Sequence, residues 1–99
     1  MLNINTKQQD ATLTILLEGR LDTTTAPELE AFLNKNLDGV TLLVMDFEKL
    51  EYISSAGLRV LLAAQKIMMN QGEMKLVHVS DLVMEILDVT GFVDILTIE

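Results

Sequence analysis

The chain has no cysteine and a single histidine, His78, in 99 residues. Missing thiols exclude disulfide staples, thiol nucleophiles and thiolate metal sites together, and a lone imidazole leaves most His-built metal or triad constellations without a second member. Positive charge is also scarce. Seven Lys and Arg stand against fifteen Asp and Glu, for a formal charge of −8. With no basic cluster to break that field, a phosphate backbone would be repelled, and nucleic acid is not an expected partner. The acidity itself serves solubility, or faces a basic partner.

Long apolar runs are missing too. The longest, Val60 to Ala64, is five residues, and the opening MLNINTKQQD has no apolar core flanked by basic residues. Neither a secretion signal nor a membrane span is expected. The reading is a cytoplasmic protein with no direct membrane insertion.

What is present suits one folded unit. A hydrophobic content of 49% can fill a core over residues 1–99 without metal or disulfide help. A first strand is expected at residues 2–6, and alternating Leu13, Ile15 and Leu17 predict a second at 12–18. The polar stretch KQQDA between them suits a hairpin turn. Thr25 with Glu28 three residues later reads as a capping box ahead of a helix carrying Leu29, Phe32, Leu33 and Leu37, with Pro27 tolerated in its first turn and Gly39 as the stop. The run VTLLVMDF, residues 40–47, predicts a strand buried on both faces.

A second helix is expected from Ser55 to Asn70, ended by Gly72, then a strand over 74–79. Ser80 caps a third helix over 81–90, ended by Gly91, and VDILTI closes the chain as a short strand. The order β-β-α-β-α-β-α-β predicts a small α/β sandwich with a mixed, mainly parallel sheet of about five strands and three main helices, joined by right-handed crossovers. No internal repeat or low-complexity tract interrupts it.

Catalytic signatures are few. Asp22, Asp46 and Glu48 are the carboxylates worth pairing, yet no matched second group or substrate pocket accompanies them. No glycine-rich phosphate loop or H-E-x-x-H pattern occurs, and a serine triad would have to recruit His78 from a strand. The chain does not read as an enzyme, and no cofactor is implied. Asp22 lies three residues outside the first helix, where it closes an Asx turn in its own loop or stays free for a partner.

The segment YISSAGLRVLL, residues 52–62, holds the most pointed question. Ser54 and Ser55 fall where a parallel strand hands over to a helix, a place that favours anions and exposes side chains. One hydroxyl suffices to cap a helix, so the second is spare. Gly57 costs helix stability and so needs a geometric reason. Val60, Leu61, Ala64, Ile67 and Met68 are expected in the core. Leu58, Leu62 and Met69 would then form an edge that packs on a neighbouring helix or serves as a docking ridge.

Three segments, EGRLDTTTAPELE, VMDFEKLEYISSAGLRVLLAAQK and VSDLVMEILDVTGF, together resemble the STAS domain of bacterial anti-sigma factor antagonists over nearly the whole chain. The resemblance implies a domain that binds an anti-sigma factor which is also a serine kinase, freeing a sigma factor. Phosphorylation of a serine two residues before the glycine, here Ser55, reverses that binding, and a serine/threonine phosphatase restores it. The family commonly has aspartate before the acceptor, where this chain has Ser54, so Ser54 is the alternative acceptor. Asp22 matches the family's loop aspartate. Partner contact is thereby expected at Asp22, Thr23, Ser54, Ser55, Ala56, Gly57, Leu58 and Leu62, with Ala56 and Gly57 leaving room for close approach. STAS-like domains also act as accessory subunits of membrane transport or sensory complexes, which is the alternative role.

Overall fold

Leu13, Ile15 and Leu17 alternate with more exposed neighbours and supply the inward face of β2 (Thr12–Leu21). In the computed structural model, which describes residues 1–99, β2 pairs antiparallel with β1 (Leu2–Gln9) and parallel with β3 (Leu42–Ile53), and β3 pairs parallel with β4 (Glu73–Val77). The sheet order is β1-β2-β3-β4. Helix α1 (Ala26–Asn36) links β2 to β3, α2 (Ser55–Met69) links β3 to β4, and α3 (Asp81–Val89) follows β4. Asp10, at φ 56, takes the left-handed position in the β1–β2 turn, a conformation that Asp tolerates better than most residues.

The register aligns Leu13 with Leu43 and Met74, and Ile15 with Met45 and Leu76. These side chains form one apolar face that joins Leu29 and Leu33 of α1, Leu61 and Met68 of α2, and Val83 and Leu87 of α3 in a single core. The opposite face carries Thr14, Leu16, Leu42, Val44 and Val77, all half-buried and outside that core. The sequence suggested that the third strand is covered on both sides. The helices instead cover one face, and the other stays open.

Two further expectations change. β3 runs to Ile53 rather than stopping at residue 47, with register shifts between Leu16 and Glu18 and between Gly19 and Arg20. Its buried positions change from Leu43, Met45 and Phe47 to Leu50 and Ile53, so the spacing of two becomes three. Bulges produce that shift, since each adds one unpaired residue and re-aims the strand. The expected fifth strand is reduced to one parallel bridge between Leu76 and Ile98, because Gly91 at φ 80 leads residues 92–94 into a 3-10 turn. The sheet therefore has four strands.

Candidate functional site

Because β2 and β3 are parallel, the loop after Leu21 and the start of α2 emerge at the same end of the sheet. Ser54 is the N-cap of α2. Its extended backbone (φ −100, ψ 177) lets its hydroxyl accept from the Gly57 N–H at 3.4 Å, and its own N–H donates to the Leu21 carbonyl at 2.9 Å. Ser55 is the first helical residue, is exposed, and its hydroxyl takes no part in hydrogen bonds within the protein. The two neighbouring serines thus differ: one hydroxyl holds the helix start, and the other faces solvent.

The Asp22 loop is built from local hydrogen bonds. Asp22 Oδ1 accepts from the Thr24 hydroxyl at 2.7 Å, the Thr24 N–H at 3.0 Å and the Thr25 N–H at 3.2 Å. This is the Asx turn, so Asp22 is not a free carboxylate. The Thr24 hydroxyl, followed by the backbone donors of Thr24 and Thr25, holds its carboxyl below the usual range, because these bonds favour the charged form. The second oxygen lies 3.8 Å from Arg20 Nε, and the Arg20 guanidinium sits 4.5 Å from the centre of the Tyr52 ring.

The capping box is absent. Thr25 is buried, and its hydroxyl donates to the Arg20 carbonyl at 2.8 Å while accepting from the Asp22 N–H at 2.9 Å. A buried hydroxyl needs such partners, and the strand end supplies them before the helix can. Thr25 therefore ties the loop back to β2 rather than capping α1.

Gly57 and Leu58 also move from the surface to the interior. Gly57 is buried, and a Cβ there would lie 2.7 Å from Leu21 Cγ and 2.8 Å from Ile53 Cγ1. Its glycine answers the close approach of the strand ends, not of a partner. Leu58 is 4% exposed and belongs to the core, so of the two roles open to it, packing or docking, it takes packing. Leu62 is half-buried, and Met69, at 72% exposure, stands seven residues further along the same helix.

Thr23, Ala26, Pro27 and Glu30 on one side and Ala56, Arg59 and Val60 on the other line a shallow crevice between the starts of α1 and α2. The fold brings Thr23 and Ala56 to one crevice. Glu30 and Arg59 were missed as a facing pair, since only the packing of α1 beside α2 sets them across one groove.

This four-stranded sheet with a serine pair at the β3–α2 junction defines a class. Residues 3–99 match the family model of the STAS domain, and the chain belongs to that family. Over 88 residues it is 40% identical to BtrV of Bordetella bronchiseptica, whose name places it among anti-sigma factor antagonists; the match covers 87% of this chain and 76% of BtrV. It is 32% identical over 97 residues to the anti-sigma-B factor antagonist of Staphylococcus aureus, covering 96% of this chain and 90% of that protein. Among solved structures, an anti-sigma factor antagonist from Mycobacterium paratuberculosis matches with a TM-score of 0.89 at 21% identity, over 99% of this chain and 85% of that one. The Bacillus cell-fate determinant SpoIIAA in its phosphorylated form matches with a TM-score of 0.76 at 19% identity, over 98% of this chain and 91% of that one. The two structures agree in fold.

Proposed function

We propose that this chain is an anti-sigma factor antagonist whose partner is an anti-sigma factor with serine-kinase activity, and that Ser55 is the phosphate acceptor. Binding frees the sigma factor; phosphorylation ends binding, and a serine/threonine phosphatase resets the cycle. The observation that carries this reading is the difference between the two serines, with Ser54 engaged in the cap and the Ser55 hydroxyl exposed and unengaged. In the transfer step the Ser55 oxygen bonds to the γ-phosphorus of ATP, ADP leaves, and the hydroxyl proton is released. A phosphate at that position adds about −1.5 to −2 charges beside the N–H groups of α2, which favour negative charge. The fold of SpoIIAA, solved in phosphorylated form, supports this tolerance.

The partner surface comprises Asp22, Thr23, Ser54, Ser55, Ala56 and the exposed side of Leu62, extended by the crevice between Glu30 and Arg59. Gly57 and Leu58 act from below by fixing the helix start. Incubation with the cognate anti-sigma kinase and ATP, followed by peptide mass spectrometry, tests the assignment. Phosphate on Ser55 that disappears in Ser55→Ala supports it. Labelling that stays undiminished in Ser55→Ala moves the acceptor to Ser54 or elsewhere.

A further inference from the structure

We propose that Asp46, Glu48 and His78, which lie away from the serine site, form a binding site for a zinc-type divalent cation. Asp46 projects from the open face of the sheet, where it pairs in register with Leu16 on β2 and Val77 on β4. His78 directly follows β4 in the left-handed conformation, at φ 56, and its Nδ1 lies 3.0 Å from Asp46 Oδ1. One donor atom from each of Asp46, Glu48 and His78 lies within 4.8 Å of the others. Around tetrahedral zinc, with bonds of about 2.0–2.2 Å, donors stand roughly 3.3–3.5 Å apart. The Asp46–His78 pair, a hydrogen bond at 3.0 Å, would open by a few tenths of an ångström to reach that spacing as the proton gives way to the ion. Glu48 is exposed and can close the remaining gap by side-chain rotation.

Two features favour a cation here over a chance surface cluster. Asp46 is held rather than mobile: its side chain is 14% exposed, and its Oδ1 also accepts from the Glu48 N–H at 3.0 Å. Such a support orients a ligand before the metal arrives. The His78 ring is 61% exposed, so water can complete the coordination and the ion has an open path. Lys7 and Lys49 share the depression that Asp46 and Glu48 line, and their charge works against any cation there. The imidazole nitrogen decides selectivity, toward zinc and similar ions and against magnesium and calcium, which prefer oxygen. On binding, the ion takes the Nδ1 position that a proton holds when the ring is charged.

Titration of zinc chloride into tag-free, EDTA-treated protein by calorimetry should show one site per chain with micromolar affinity, and magnesium or calcium chloride should give no binding heat. His78→Ala and Asp46→Asn should each weaken zinc roughly tenfold or more, and the His78 Nδ1 resonance should shift on saturation. Thermal melts check that each variant folds; should Asp46→Asn fail, His78→Ala with Glu48→Gln decides. Zinc binding that is absent, or unchanged in folded His78→Ala, overturns the site, as does magnesium binding of equal strength.

Discussion

The N–H of Ser54 donates to the carbonyl of Leu21 at 2.9 Å, so the residue that opens α2 is fastened to the last residue of β2. The Asp22 loop and the serine pair are therefore joined directly, although about thirty residues of chain separate them. Changes at either serine can be read against that fixed frame.

Ser54→Ala removes the hydroxyl that caps α2. Caps of this type are worth about 0.5–2 kcal/mol, and the length of this bond, 3.4 Å, places the loss near the lower end. Ser55→Ala loses no internal hydrogen bond and should change stability by less than about 0.5 kcal/mol. Urea denaturation of the two variants should show this asymmetry. Equal losses would mean that Ser55 has a structural task.

Gly57→Ala should destabilise the protein despite the higher helix propensity of alanine. The added methyl meets Leu21 and Ile53 near their branch points, where both side chains are fully packed. Overpacking of about 1–3 kcal/mol outweighs a propensity gain of about 1 kcal/mol. Denaturation midpoints should fall accordingly. A more stable Gly57→Ala would show slack beneath α2.

Acid should weaken the Asp22 loop. The folded carboxyl lies below its ordinary value of 3.8, chiefly through the Thr24 hydroxyl. A depressed folded pKa gives stability that is fully present above the unfolded value and is lost as pH falls through the folded one. Carbon-13 titration of the Asp22 carboxyl should show this, and Thr24→Ala should return the midpoint toward 3.8. An unmoved midpoint would assign the shift to another group.

Phosphate or aspartate at position 55 should reduce partner affinity far more than stability. The helix start tolerates negative charge, whereas a partner seated in the crevice must strip water from it. A coupling of about 1–3 kcal/mol lowers affinity roughly 5- to 150-fold. Calorimetry against the cognate kinase domain, run beside thermal melts, separates the two effects. Equal affinity of the modified and unmodified proteins would refute the switch.

The sequence made some of this legible. Leu13, Ile15 and Leu17 disclosed β2 because the side chains alternate regularly, and Ser80 marked α3 because its hydroxyl does cap it, accepting from Val83 N–H. The second half of β3 was hidden, since bulges displaced Leu50 and Ile53 from the period that identifies a strand. Thr25 and Glu28 matched a capping pattern, but burial gave the Thr25 hydroxyl nearer partners in Arg20 and Asp22. Leu58 was left between packing and docking because a helical wheel shows an apolar arc without showing which neighbours cover it, and its burial decides for packing. The serine pair stood out in the sequence, and the division of labour within it required coordinates.

The bulges also set a length. Between Thr12 and Leu21 β2 advances beside a stretch of β3, from Leu42 to Ile53, that holds two more residues. The bulges take up that difference, so Leu21 lies beside Ile53 and its carbonyl meets the Ser54 N–H. In this chain the aim of a surface hydroxyl is governed by a miscount between two strands, several residues upstream of the surface itself.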